Sequence, residues 1–256
     1  MENNNTTRFS NRVDDYVKYR PGYPAEMLQY LQQDFGITPD KIIADIGSGT
    51  GISSEYFLKA GYAVVGIEPN KEMRQKSLEL LKSYPKFSAI DGTAEDSILK
   101  NHSIDVVISG QAFHWFDKER ARVEFKRILK APQIVVLFWN ERLMQSEFEL
   151  DYDSLIVKHA IDYVKVDHRF TDLKSVQKFF YPGNCELKEF DNYQLFDYEG
   201  LKGRLLSSSY MPQSGDEGYE AMIADLKELY DLHQQSDAVR INYATKVYVG
   251  QLEEAF

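Results

Sequence analysis

Residues 42–51, Ile-Ile-Ala-Asp-Ile-Gly-Ser-Gly-Thr-Gly, carry an apolar run straight into three glycines at alternate positions. A continuous apolar run of this length suits a strand buried on both faces of a parallel sheet. Glycine permits positive φ and lets a ligand lie directly on the backbone. In an open α/β sheet the turn beyond the carboxyl end of the first strand is where nucleotides bind. This one segment therefore selects a fold class and the edge of the sheet that carries the site.

The neighbouring sequence agrees. Similar runs occur at 63–67, 104–109 and 134–139, with a weaker one at 87–90. Amphipathic stretches expected as helices lie between them at 52–59, 71–82 and 118–129. Upstream, Pro24 and Gly36 bracket a further helix at 25–35. Strands alternating with helices over a hundred residues imply a doubly wound, mostly parallel α/β sheet. Beyond residue 140 the pattern changes. Helices are expected at 147–164, 173–179 and 219–234, and strands at 186–196 and 241–251. The two strands are expected as an antiparallel pair at the sheet edge, and 141–181 as a helical cap inserted over the ligand edge. No Gly/Ser/Pro-rich linker divides the chain, so residues 1–256 are expected to form one domain. Its ligand-binding core is 9–140, and 141–256 holds the insertion, the edge strands and the substrate side.

Two ligands compete for the glycine turn. The dinucleotide fingerprint G-x-G-x-x-G/A needs a small third residue for close helix packing. Counted from Gly47, that position is Ile52, and the third glycine comes one residue early, at Gly51. Asp45 stands just before the turn, where a pyrophosphate would meet a carboxylate and a ligand with a cationic head would be favoured. Glu68 ends the second run, 23 residues after Asp45. A carboxylate there is placed to accept hydrogen bonds from both hydroxyls of a ribose.

Composition excludes other classes. With 30 Lys and Arg against 40 Asp and Glu, the net charge is −10, which disfavours a nucleic-acid partner. The longest apolar run, six residues at 134–139, is too short to cross a bilayer. The first dozen residues contain no apolar signal segment. The single cysteine, Cys185, fits a reducing compartment, so a cytoplasmic location is expected. The five histidines lack metal-ligand spacing, and no metal is expected.

With these residues in view, roughly residues 9–140 resemble the class I S-adenosylmethionine-dependent methyltransferases. Motif I of that family is similar to Asp45-Ile46-Gly47-Ser48-Gly49-Thr50-Gly51, and its acidic second-strand end to Glu68 followed by Pro69. Met73 matches a position beside the adenine. Asp91-Gly92-Thr93-Ala94-Glu95 resembles the segment that reaches the adenine's amino edge. Residues 104–109 resemble the fourth strand, and 125–130 the helix before a Pro-Gly-Gly turn. That turn is here Ala131-Pro132-Gln133, a departure. The segment 16–24, with Tyr16, Tyr19 and Arg20, and the run Phe113-His114-Trp115-Phe116-Asp117 resemble a subgroup related to trans-aconitate methyltransferase.

The resemblance implies a seven-stranded Rossmann-like methyltransferase fold with S-adenosyl-L-methionine as cofactor. Tyr19, Arg20, Asp45, Gly47, Ser48, Gly49, Gly51, Glu68, Pro69, Met73, Thr93, Ala94, Glu95, Gln111 and Phe113 are the expected cofactor residues. The expected activity is methyl transfer to a small-molecule carboxylate or hydroxyl. A hydroxyl acceptor needs a base, and His114 is the candidate. Tyr16, His114, Trp115, Trp139, Asn140 and Tyr210 are expected to line the acceptor site. A non-catalytic adenosyl-binding protein and, further off, an NAD-dependent oxidoreductase are the alternative readings. Neither the acceptor nor the oligomeric state is legible in the sequence.

Overall fold

A computed structural model describes residues 18–161, 173–208 and 210–252 of the chain. Seven strands form one sheet: β1 (Ile42–Ile46), β2 (Ala63–Ile67), β3 (Phe87–Ile90), β4 (Ile104–Gly110), β5 (Leu129–Arg142), β6 (Cys185–Phe196) and β7 (Val239–Gln251). Their order is β3-β2-β1-β4-β5-β7-β6. The first five pair in parallel, and β7 runs antiparallel to both β5 and β6. The strand order reverses beside β1, which makes the carboxyl ends of β1 and β4 the topological switch point.

Eight helices accompany the sheet among the described residues: α1 (Ala25–Phe35), α2 (Ile52–Lys59), α3 (Lys71–Leu80), α4 (Lys118–Ile128), α5 (Glu147–His159), α6 (Leu173–Phe180), α7 (Tyr198–Leu206) and α8 (Tyr219–His233). Their ends have local causes. Gly36 ends α1 at φ 63°, and its N–H bonds to Leu31 O. Asn70 and Asp117 cap α3 and α4 with their side chains, and Ser146 with Glu149 forms a capping box on α5.

Three apolar clusters result. Phe125 and Ile128 of α4 and Val176, Phe179 and Phe180 of α6 cover one sheet face, over Ile46, Val107 and Leu137. Met27 and Leu31 of α1 and Phe57 of α2 cover the other, over Ile43, Val106 and Phe138. The third unites α5, α7 and α8 with Phe196, Val239, Ile241 and Tyr243 at the ends of β6 and β7. This is the cap.

The structure redraws two expectations. The insertion 141–181 is not one unit over the ligand edge. Its α5 enters the cap, but α6 has an apolar stripe at i, i+3 and i+4 that docks on the sheet beside α4. The cap draws α7 and α8 from later sequence instead. Strand β5 is also much longer than 134–139. It begins at Leu129, paired with Ile104, and passes a register shift before Ile134. At its other end Asn140, Glu141 and Arg142 continue the ladder against Thr245, Ala244 and Tyr243. These polar residues look like loop, and the partner strand overrides that preference.

Candidate active site

The glycine turn is pinned to the neighbouring strand. Gly47 N–H donates to Ile67 O at 2.8 Å, and Ser48 N–H reaches the same oxygen at 3.2 Å. Gly47, Gly49 and Gly51 take φ of 70°, 56° and 91°, the left-handed region that glycine adopts without strain. A Cβ at Gly47 would lie 2.6 Å from the Ala112 Cβ, so the loop after β4 closes directly onto the turn.

The two carboxylates divide their roles. Glu68, 7% exposed, holds the turn from the end of β2. Its Oε2 accepts from Gly49 N–H and its Oε1 from Asn70 N–H, each at 2.8 Å. Each oxygen retains a second lone pair. Burial raises the Glu68 pKa above the usual carboxylate range, against the lowering effect of these two bonds. Asp45 is fully buried, and its Oδ2 accepts from Ser53 Oγ at 2.6 Å and Ser54 Oγ at 2.7 Å. Burial pushes its pKa up to about 6. Asp45 therefore lies beneath the turn, tied to the first turn of α2, rather than on an open ligand surface.

The other expected cofactor residues distribute unevenly. The Met73 Sδ lies 3.8 Å from where a Cβ on Gly49 would be, so its thioether borders the turn. Pro69 is exposed beside it. Ala94 is buried. Thr93 Oγ1 accepts from the N–H groups of Glu95 and Asp96 at 3.2 Å. The Glu95 side chain turns to Asp117 N–H at 2.8 Å, ahead of α4. Gln111, at φ 60°, bridges the ends of β4 and β5 through Phe138 O and Asn140 O.

Several aromatic and polar residues lie elsewhere than the sequence suggests. Phe113 is 1% exposed and packs edge-on against Trp139 and Phe179, so its ring belongs to the core. Trp139, 3% exposed, lies against Tyr248 in the same cluster and does not line an open acceptor site. Phe113, on the turn after β4, and Trp139, inside β5, are apolar residues buried in the cluster that α6 completes. The Tyr19 ring lies against Gly203 of α7, and a Cβ on that glycine would overlap it at 2.0 Å. Tyr19 is thus part of the cap. Arg20 Nη2 donates to Ser207 O at 3.1 Å. Tyr16 lies outside the described residues.

Asn140 is the anchor of the segment 18–24, which crosses the carboxyl edge as a strap. Its Nδ2 donates to Gly22 O at 3.0 Å, and its Oδ1 accepts from Thr245 Oγ1 at 2.6 Å and Asn192 Nδ2 at 3.1 Å. Asn192 Nδ2 also reaches Gly22 O, and Gln194 Nε2 donates to Tyr19 O. Asn192, Gln194 and Thr245 carry no sequence signal, because their relation to the strap exists only across the ladder. His114 and Trp115 sit on a single helical turn, Phe113–Trp115, just past β4, with ring centroids 4.6 Å apart. His114 is half-buried and Trp115 is 39% exposed. Tyr210 is half-buried at the margin of the cap.

These residues fit an adenosyl ligand. Within the turn, Ser48 Oγ and Thr50 Oγ1 are buried and hydrogen-bond to nothing among the described residues. Buried polar atoms are normally paired, so orphans clustered at a glycine turn mark a place for a polar ligand. Among the described residues no cluster of His, Cys, Asp and Glu is suited to a metal ion, and no helix is long and apolar enough to cross a membrane.

Comparison with known proteins agrees with this geometry. Residues 44–137 match a family model described as a methyltransferase domain. An uncharacterized methyltransferase of Schizosaccharomyces pombe is 26% identical over 252 residues, 95% of this chain and 96% of the relative. An uncharacterized methyltransferase of Mycobacterium tuberculosis is 34% identical over 135 residues, 52% of each chain. In fold, a candidate type II methyltransferase from Anaeromyxobacter dehalogenans superposes with a TM-score of 0.69 at 19% identity, over 93% of this chain and 100% of that one. Residues 44–137 carry the glycine turn, Glu68 and the loop after β4 on one methyltransferase domain, and the chain is an S-adenosylmethionine-dependent methyltransferase.

Proposed function

We propose that the chain methylates a small molecule at a carboxylate or hydroxyl oxygen. The observation that carries this reading is the covered carboxyl edge of the sheet: the strap is bonded to Asn140 near the end of β5 and to the cap through Arg20 and Ser207, and the loop after β4 abuts Gly47. An edge covered in this way suits a small acceptor. The net charge of −10 speaks against a nucleic-acid acceptor. The strap residues and the His114-Trp115 pair also support kinship with the trans-aconitate methyltransferase subgroup.

The bound cofactor supplies an electrophilic methyl on sulfur and leaves as a neutral thioether. The chain's part is to bind, align and exclude water. The turn backbone and the second lone pairs of Glu68 would hold the ribose and its neighbours. Met73, with Thr93, Ala94 and Glu95, would hold the adenine. Arg20, placed by Ser207 O, would bind the cofactor's carboxylate. The acceptor oxygen would be held in line with the methyl–sulfur bond, so that one bond forms as the other breaks. A carboxylate needs no proton removed. A hydroxyl gives its proton to His114, at the loop that abuts Gly47.

The test is release of S-adenosylhomocysteine from S-adenosylmethionine with pools of small carboxylic acids and alcohols. Turnover with at least one pool is expected. Turnover only with a protein or nucleic-acid acceptor overturns the small-molecule reading, and binding of S-adenosylhomocysteine with no turnover on any acceptor favours a regulatory protein.

A further inference from the structure

The cap holds an arginine that no carboxylate pairs with among the described residues. Arg204, on α7, is half-buried. It forms no ion pair among the described residues. Its hydrogen bonds are at the outer limit: Nε to Tyr243 Oη at 3.4 Å, and Nη1 to Ser207 Oγ and Ser208 Oγ at 3.5 Å each. Ordinary N–H···O bonds cluster near 2.9–3.0 Å. Nη2 donates to nothing among the described residues. The nearby Arg142 is different, since it pairs directly with Asp153.

The surroundings are phenolic. Tyr152 of α5 is 2% exposed, and its hydroxyl makes no hydrogen bond among the described residues. It lies close enough for the Arg204 charge to act on it. Tyr243 of β7 donates to Gln194 Oε1 at 3.0 Å. Burial pushes the Tyr152 pKa up to about 12, while Arg204 and Arg142 pull it down, so this phenol is neutral at pH 7. Burial would lower the Arg204 pKa, but the phenols of Tyr243, Tyr152 and Tyr210 outweigh it and raise it. The guanidinium is therefore a permanent cation, its charge left standing in a chain of net charge −10. Enclosing a charge without a partner is costly, and the cost is retained where a ligand supplies the partner.

The location joins this cation to the reaction site. Ser207 bridges the two: its Oγ meets Arg204, and its carbonyl meets Arg20 of the strap. Tyr19 of the strap packs on Gly203, the residue before Arg204. Arg204 thus stands on the cap side of the strap, and the glycine turn on the sheet side.

We infer that Arg204, with Tyr152 beside it, forms an anion-holding subsite that grips a carboxylate or phosphate group of the methyl acceptor, distinct from the atom that is methylated; Ser207, whose hydroxyl donates to Arg204 O, and Tyr243, whose hydroxyl donates to Gln194, only position the guanidinium. This rests on the reading that the chain methylates a small molecule. Nη2 and a weakly engaged Nη1 present the parallel pair of donors that a carboxylate or phosphate takes in bidentate fashion. Charge-assisted bonds of that kind tie up the oxygen lone pairs, so the gripped group is an anchor and the nucleophile lies elsewhere on the acceptor. Acceptors with an anion at one end and a reactive oxygen at the other fit the site, and their neutral amides do not.

The experiment titrates the full chain, already saturated with S-adenosylhomocysteine so that Arg20 is occupied, with malonate, inorganic phosphate and malonamide. Saturable binding of malonate, of phosphate or of both is expected, with none for malonamide. Malonate alone assigns a carboxylate anchor and phosphate alone a phosphate anchor. Arg204→Gln should weaken anion binding at least tenfold while S-adenosylhomocysteine affinity stays within threefold. Arg204→Lys should retain part of it. Tyr152→Phe keeps the guanidinium and the packing, and should weaken anion binding severalfold even where Arg204→Gln fails to fold. Unchanged anion affinity in Arg204→Gln or, if that variant does not fold, in Tyr152→Phe overturns the inference. So does malonamide binding as tight as malonate, or the absence of anion binding to the loaded wild type. Failure to bind S-adenosylhomocysteine at all removes the underlying reading instead.

Discussion

Replacing Glu68 with alanine should harm the protein in two separable ways. The free chain loses the acceptor for two backbone N–H groups, Gly49 and Asn70, each held at 2.8 Å. Hydrogen bonds to a charged group contribute about 1.5–3 kcal/mol each, and water entering the vacated space recovers part of that. A net loss of about 2–3 kcal/mol is expected, which lowers Tm by roughly 4–12 °C in a chain of this size. On the proposed function the cofactor complex should lose more, because the remaining lone pairs of Glu68 would hold the ribose hydroxyls. At a similar net loss of about 2–3 kcal/mol, two charge-assisted bonds correspond to about thirtyfold to a hundred-and-fiftyfold in affinity. Differential scanning calorimetry of the free protein reads the first effect, and titration with S-adenosylhomocysteine reads the second. A Tm equal to wild type would show that Glu68 does not hold the turn. Unchanged affinity would remove it from the ribose site.

Three further outcomes are expected. Asp45, whose pKa in the fold is about 6 against about 3.9 in an unfolded chain, favours the fold when protonated, so its contribution is full below pH 4 and is lost as pH rises through 6. Asp45→Asn removes that dependence, and urea titrations should show the variant gaining about 2 kcal/mol on wild type between pH 4 and 7; a pH-independent difference contradicts the burial argument. Gly47→Ala meets both φ of 70° and a Cβ 2.6 Å from Ala112, and should cost about 2–4 kcal/mol in chemical denaturation; a near-neutral change would mean that the loop after β4 yields freely. His114→Ala should cut turnover about 10²–10⁴-fold on a hydroxyl acceptor and far less on a carboxylate, with S-adenosylhomocysteine affinity within about threefold; parallel losses of binding and turnover would make His114 part of the cofactor wall.

The parallel half of the sheet was legible because its strands are buried on both faces and so carry unbroken apolar runs. β1, β2 and β3 begin and end at the expected residues. The glycine turn was legible for a different reason, since its conformation demands a residue type. Other positions lacked such a demand. Phe113 and Trp139 follow apolar runs in the sequence, where an aromatic residue serves equally as a ligand wall or as core, and only the packing of the cluster that contains α6 decides. Asn140 resembles a pocket residue, but its amide is used on Gly22, Asn192 and Thr245. Arg204, next to Lys202 on a short helix, resembles a solvated face. Its enclosure comes from Tyr152 and Tyr243, distant in the chain and brought together by the cap.

The place of β7 in the sheet order has a consequence for synthesis. β6 has no neighbour but β7, and β7 starts only at Val239. A nascent chain that has emerged as far as residue 238 carries β5 with a bare edge and β6 with no ladder at all, two long unpaired ribbons on one molecule. Such edges recruit other chains. The same strand brings Thr245 to Asn140, so the strap gains its full anchor only after residue 245 has emerged. Shielding of the growing polypeptide is needed until β7 has emerged, and truncations before Val239 should accumulate as aggregates rather than as smaller enzymes.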